Sequence, residues 1–312
     1  MVEISIICNT YNQEDYIRDA LESFLMQKTN FNFEILIHDD ASTDKTAEII
    51  REYEEKYPDI VKPIYQKVNQ YSQKITIVRT YQFPRVQGKY IAFCEGDDYW
   101  TDPLKLQKQY DYLEAHPEVD ICAHAAISVE ASTKKIIEEI APSKESRILP
   151  FEEVIMGDGG YVAANSVLYR SEINKDIPRF RKEFGYQYTT KLHASIKGGM
   201  YYMAEIMSAY RVLAKGSWTS RMGNDINKWT SFHESKRNMY RLLDEYTEYK
   251  YTKTIQEKIE VDEFYHLIQT KQYKEAIKKE NKKYFKKLPK KLRRGIWINA
   301  RFSWLRKLLR KG

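Results

Sequence analysis

Tyr90-Ile91-Ala92-Phe93-Cys94-Glu95-Gly96-Asp97-Asp98 is an apolar run that stops on three carboxylates and a glycine. The run has the length and composition of a buried strand. Its end places negative charge at the carboxyl edge of a sheet, where open α/β folds bind their ligands. Carboxylates crowded this closely repel one another unless a cation joins them, and hard oxygen donors suit Mg²⁺ or Mn²⁺. A metal held there would in turn hold a diphosphate. Taken alone, the same stretch also reads as a solvated acidic turn.

The preceding residues supply the context. Residues 4–8 form a short apolar run followed by Asn9-Thr10-Tyr11-Asn12, and then Ile17, Leu21, Phe24 and Leu25 recur on one helical face. Asn12, with Asp15 three residues on, has the form of a helix N-cap. Residues 33–37 predict a second strand, which also ends on acid at Asp39-Asp40. Ser42 or Thr43 is placed to cap the next helix, which carries Ala47, Ile50 and Tyr53. Residues 60–65 predict a third strand and 90–94 a fourth. Strand–helix alternation at this spacing predicts an α/β fold, a mostly parallel sheet with helices on both faces. Three strand ends then carry polar groups at one edge: Thr10 to Asn12, Asp39-Asp40, and Glu95 to Asp98. Together they describe a nucleotide site. Read singly, Asp39 and Asp40 would be charges capping a helix N-terminus.

Composition narrows the class. A chain of 312 residues can build one large or two modest domains with a real core. The three cysteines, at 8, 94 and 122, fall in predicted strands without paired spacing and read as reduced core residues of a cytoplasmic protein. Met1 leads straight into a strand, so no secretory signal is expected. The net charge of +7 hides a division, because residues 273–312 carry sixteen Lys or Arg against two Glu, +14, which leaves −7 on the first 272. On a helical wheel Trp297, Ile298, Phe302, Trp304, Leu305, Leu308 and Leu309 share one arc, with Arg306, Lys307 and Arg310 opposite. A basic amphipathic helix with two tryptophans is the pattern of a segment lying in an anionic membrane surface. The same helix could instead dock on the protein's own core. No nucleic-acid-reading motif is present, so no nucleic acid partner is expected. Residues 221–290 read as helical and polar, with Tyr240, Leu243 and Tyr246 as anchors.

The stretches ISIICNTYNQEDYIRDALESFLMQ, FEILIHDDASTDKTAEII and GKYIAFCEGDDYWTDPLKLQKQ resemble the N-terminal half of family 2 glycosyltransferases, densely over residues 3–115 and more loosely to about 220. The resemblance implies a GT-A fold over 1–220, with a nucleotide-sugar half (1–115) and an acceptor half (116–220); charge and helical pattern predict a helical, basic extension over 221–312. It implies an inverting transferase that uses a nucleoside diphosphate sugar and a divalent metal, acts on a glycan or lipid-linked hydroxyl acceptor, and works at the inner face of a membrane. By this resemblance Thr10 and Tyr11, with Asn12 beside them, line the base pocket. Asp39 accepts a hydrogen bond from the base and Asp40 supports its loop. Glu95 takes the first carboxylate place of the family's Asp-x-Asp motif, near the ribose, and Asp97 takes the second, the metal ligand, with Asp98 beside it. Arg211, in Ala209-Tyr210-Arg211-Val212-Leu213 before Gly216-Ser217-Trp218, would counter phosphate charge. The acceptor segment departs from the family pattern. Counting back from Lys197-Gly198, the general-base position falls on Gln187, and an amide cannot take a proton from a hydroxyl. Glu183 and Asp158 are the alternative bases, and a non-catalytic sugar-nucleotide-binding homologue is the alternative function.

Overall fold

The computed structural model describes residues 1–185, 187–214, 222, 223 and 225–302. The chain divides into two compact units, residues 1–221 and 222–312.

The first unit begins with β1 (Val2–Thr10), α1 (Ile17–Leu25), β2 (Asn32–Asp39), α2 (Thr46–Lys56) and β3 (Val61–Tyr65). It continues through β4 (Tyr90–Phe93), β5 (Tyr99–Trp100), α3 (Lys105–Ala115), β6 (Ile121–Glu130), β7 (Ile136–Ile140), β8 (Arg147–Leu149) and α4 (Phe151–Met156). It closes with β9 (Leu168–Arg170), α5 (Arg179–Glu183), α6 (Gln187–Ser195) and β10 (Met200–Val212). One sheet runs β3-β2-β1-β4-β9-β6-β10-β5, with β7 beside β6 and β8 beside β10. The first four strands in this order are parallel. Short β9 runs antiparallel to both its neighbours, and β6 and β10 are again parallel.

Side-chain alternation along β1 explains the layering. Ile4, Ile6 and Cys8 share a face with Ile35 and Ile37 of β2, and pack under Ile17, Leu21 and Phe24 of α1, Ile50 of α2, and Leu106 and Leu113 of α3. Each such side chain contributes roughly 1.5–3 kcal/mol by leaving water. On the backbone of the same strands, the buried Gln82 Nε2 donates to the carbonyls of Cys8 (3.3 Å) and Leu36 (3.1 Å). All three cysteines are buried and free.

The expected helix caps are corrected. The N-cap of α1 is Tyr16 and that of α2 is Lys45, neither with a side-chain cap bond. Asn12 instead adopts a left-handed backbone (φ 52°), donates its amide to Ser42 Oγ (2.9 Å), and accepts the Thr43 amide on Oδ1 (2.7 Å). The loops after adjacent parallel strands are neighbours, so their short polar side chains bond across the edge rather than back along their own helices.

In the second unit the helices Ile226–Tyr246 and Thr252–Gln269 pack together, and among the described residues the shorter α-helices Tyr273–Ala276, Lys282–Lys287 and Lys290–Arg301 follow. Asp225 caps the first by accepting the amides of Asn227 (3.0 Å) and Lys228 (3.2 Å). A small core gathers Phe264, Ala276, Tyr284, Leu288 and Ile296. Tyr240 and Leu243 are buried anchors, but Tyr246 is 49% exposed and is not, because it sits at the helix end beyond the packed stretch. The helix Lys290–Arg301 buries Ile296 and Ala300 while leaving Leu292, Trp297 and Ile298 exposed, as is Phe302 just beyond it. Trp304 to Arg310 of the helical wheel, and Gly216-Ser217-Trp218, lie outside the described residues. Among the described residues no helix is long and apolar enough to cross a membrane.

Candidate active site

The three polar strand ends meet. Parallel pairing sets Thr10 of β1 beside Asp39 of β2, and Asp39 beside Tyr65 of β3. The turn after β4 rides on the end of β1, since the Cys94 amide donates to the Ile7 carbonyl (3.1 Å) and the Gly96 amide to the Asn9 carbonyl (3.0 Å). Thr10 Oγ1 donates to Gln13 Oε1 (2.8 Å), directly beneath this turn. A Cβ at position 96 would sit 2.5 Å from Gln13 Oε1 and 2.9 Å from Thr10 Cβ, so only glycine lets the turn approach so closely.

Asp39 is 2% exposed, and its Oδ2 accepts the Ser42 amide at 3.2 Å. Its Oδ1 is buried with no hydrogen-bond partner among the described residues. Burial raises this carboxyl above the ordinary aspartate range, opposed in part by the Ser42 hydrogen bonds. Asp40 faces the other way. Its Oδ1 accepts the Gln70 amide (2.6 Å) and its Oδ2 the Tyr71 amide (3.0 Å), while Asn69 Nδ2 donates to its carbonyl (3.1 Å). The segment after β3 is thereby brought to the strand edge, with Tyr11 and Tyr71 both exposed. Sequence reading missed the Asn69-Gln70-Tyr71 segment. Its only signal was a polar, turn-rich stretch after the third predicted strand.

Glu95 and Asp97 are half-buried, whereas Asp98 is 3% exposed and accepts the Arg211 amide on Oδ1 (2.9 Å). Burial, and then the neighbouring Asp97 charge, pushes the Asp98 carboxyl well above its usual range. Among the described residues no three carboxylate, imidazole or thiol groups converge as a ready-made metal cage. The donor chemistry nevertheless fits Mg²⁺ or Mn²⁺: the turn offers carboxylate oxygens alone, and their mutual repulsion is what a divalent cation offsets. Arg211 is 1% exposed, with Nη1 donating to the Asp97 carbonyl (2.6 Å) and Nη2 to the Asp19 carboxylate. Its guanidinium lies 5.1 Å from the Tyr16 ring centroid and 4.7 Å from that of Tyr99. Asp19 gave no sign of itself in the sequence, being one of two acids, with Glu22, on α1.

The three candidate bases lie around α4 to α6. Gln187 is the first residue of α6, and its Oε1 is buried without a hydrogen-bond partner among the described residues. Glu183 pairs with Arg179 Nε at 2.6 Å. Asp158 is exposed, and its Oδ1 accepts the Gly159 amide (2.8 Å). Lys191 of α6 reaches back into that turn, with Nζ donating to the carbonyls of Gly159 (2.6 Å) and Val162 (2.9 Å). Burial lowers the pKa of Lys191 to about 8. A Cβ on Gly185 would lie 3.5 Å from Thr76 Cγ2, so the α5–α6 junction touches the segment that follows β3. The Lys197-Gly198 turn requires its glycine: φ is +73°, and a Cβ would meet the Glu118 carbonyl oxygen at 2.2 Å.

A mostly parallel sheet whose strand ends gather Thr10, Asp39 and an acidic turn has the arrangement of the GT-A fold. The chain belongs to glycosyl transferase family 2, whose sequence pattern matches residues 5–177. An uncharacterized Mycobacterium tuberculosis protein, Rv1520, is 36% identical over 245 residues, 77% of this chain and 68% of that one. The Escherichia coli protein WfaP, named a UDP-Glc:alpha-D-GlcNAc-diphosphoundecaprenol beta-1,3-glucosyltransferase, is 36% identical over 111 residues, 36% of this chain and 41% of its own. Among solved structures, residues 1–349 of S. aureus TarS in complex with UDP-GlcNAc match with a TM-score of 0.62 at 17% identity. That match covers 96% of this chain and 79% of the other, and shows that the two share the fold.

Proposed function

We propose that this glycosyltransferase moves a sugar from a UDP-sugar to a hydroxyl acceptor with inversion at the anomeric carbon, in the assembly of a surface polysaccharide or glycolipid. The observation that carries this reading is Asp39 Oδ1, a buried oxygen at the strand edge with no hydrogen-bond partner among the described residues. A nucleobase N–H supplies the missing donor. Thr10 and the exposed Tyr11 ring line the base beside Asn12, Asp40 holds the neighbouring segment, and Glu95 reaches the ribose. Asp97, with Asp98 beside it, would hold Mg²⁺ or Mn²⁺, which when bound offsets charge on the departing diphosphate. Arg211 serves this turn by holding the Asp97 carbonyl. The donor and lipid-linked acceptor classes draw support from the name of WfaP.

The base that deprotonates the acceptor is a carboxylate, Asp158 or Glu183, because the Gln187 amide cannot accept a proton. A second reading is favoured by one observation, the buried amide at the base position. In it the chain binds sugar nucleotides without turning them over. Calorimetry with UDP and UDP-sugars, with and without Mn²⁺, tests the main reading, and no metal-dependent binding of any nucleotide would overturn it. Transfer or hydrolysis assays on Asp158→Asn, Glu183→Gln and Gln187→Asp then separate the two readings. Loss of turnover in one carboxylate variant names the base, whereas turnover only in Gln187→Asp establishes the binding protein.

We assign the second unit to an anionic membrane surface, as a peripheral contact at the cytoplasmic face. Its support is the +14 charge of residues 273–312 together with exposed Leu292, Trp297, Ile298 and Phe302 among those lysines and arginines.

A further inference from the structure

Four residues distant in sequence converge behind the acidic turn. Arg211 of β10 grips the turn at two points, its amide on Asp98 Oδ1 (2.9 Å) and its Nη1 on the Asp97 carbonyl (2.6 Å). The guanidinium's own orientation is set elsewhere. Its Nε has no hydrogen-bond partner among the described residues, and its Nη2 meets the carboxylate of Asp19 on α1. The same Asp19 Oδ2 accepts Lys134 Nζ at 2.8 Å, from the turn between β6 and β7. Lys134 and Arg211 both stand near the Tyr99 ring, at 5.3 and 4.7 Å from its centroid, and Tyr99 directly follows Asp98.

We propose that Asp19 is a positioning residue for the cation-binding turn: it fixes the Arg211 guanidinium, and the guanidinium fixes the Asp97 carbonyl. The inference rests on the reading of residues 95–98 as the turn that binds the metal and diphosphate. A buried guanidinium that loses its counter-charge is strongly destabilised and turns toward another acceptor. Asp98, whose Oδ1 already accepts the Arg211 amide, is one such acceptor, and the guanidinium would then occupy it in competition with the cation. With Asp19 in place, the guanidinium is neutralised from behind and stays on the Asp97 carbonyl, leaving the turn's carboxylates to the cation. Asp19 itself contacts neither ligand.

The experiment uses the full chain. Free Mn²⁺ is followed by electron paramagnetic resonance with and without UDP, and UDP affinity in EDTA is measured by calorimetry. Asp19→Asn is expected to weaken Mn²⁺ binding about tenfold or more, the usual scale for groups that orient metal ligands, while UDP affinity in EDTA stays within about twofold. In an Arg211→Lys background the same change is expected to add little, because the effect passes through the guanidinium. Asp19→Glu, which keeps the charge but moves it by one methylene, is expected to restore part of the Mn²⁺ affinity. If Asp19→Asn does not fold, Asp19→Glu carries the test: a lowered Mn²⁺ affinity with unchanged UDP affinity in EDTA supports the proposal, and wild-type Mn²⁺ affinity overturns it. Equal losses with and without metal would also overturn it, since they mark Asp19 as general support for the fold. Absence of Mn²⁺ binding in the wild type overturns the cation-binding reading itself, and this inference with it.

Discussion

The Ser42 amide donates to one oxygen of Asp39, at 3.2 Å, and leaves the other buried and without a hydrogen-bond partner among the described residues. An uncompensated carboxylate oxygen costs stability in the empty protein, and the cost is recovered when a donor arrives. Asp39→Asn keeps the shape but removes the charge. It is expected to weaken UDP binding about tenfold or more, the scale of a hydrogen bond to a charged group. Calorimetry checks this, and unchanged affinity would remove Asp39 from the base pocket.

Gly96 is where two strand-end loops come closest. A methyl group there meets Gln13 Oε1 and the Thr10 side chain inside van der Waals contact. Gly96→Ala is therefore expected to lower stability by about 1–3 kcal/mol, as overpacking does, and to lower UDP affinity by displacing the acidic turn. Urea denaturation beside a UDP titration reads both effects. A variant as stable as wild type would mean that the turn has room to yield.

Lys105 makes stability depend on pH. It is fully buried, with Nζ donating to Gln109 Oε1 (2.8 Å) and lying 4.0 Å from the Trp100 ring centroid, and burial lowers its pKa to about 7. The unfolded chain keeps this proton up to about pH 10. Between these values the unfolded state binds more protons, so stability from this group rises with pH, by roughly 1 kcal/mol per unit, and flattens below the folded pKa. Lys105→Met abolishes that slope. Urea unfolding of both proteins at pH 7, 8 and 9 measures the difference, and parallel curves would refute a neutral buried amine.

The basic helices give a salt-dependent prediction. Lys286, Lys287, Lys290 and Lys291 are exposed, and each basic residue near an anionic surface is worth roughly 1 kcal/mol. The full chain is expected to co-sediment with phosphatidylserine-containing vesicles and to be released by added salt. Changing all four lysines to glutamate should abolish this while leaving UDP binding intact. Co-sedimentation that survives the charge reversal would point to the apolar residues alone, and absence of binding by the wild type would favour a soluble acceptor.

The strand–helix order, the polar strand ends and the basic tail were legible because each is written in a local pattern. Alternation in residues 4–8 buries one face of β1, and an apolar run stopping on carboxylates must stop at a sheet edge. The caps were misread for a physical reason. Asn12, Ser42 and Thr43 have the chemistry of helix caps, but each found a partner on the neighbouring loop about thirty residues away. The acceptor side was legible only as a departure from pattern.

The sequence by itself determined the class of fold, the acidic turn and the division of charge between the catalytic part and the tail, because periodicity and composition act over a few neighbouring residues. The tertiary structure alone decided what holds those carboxylates. Asp40 reaches Tyr71 across 31 positions and Asp19 reaches Arg211 across 192. Closing such loops is governed by the packing of the whole sheet, and no local signal marks which acid will meet which donor once the strands are side by side.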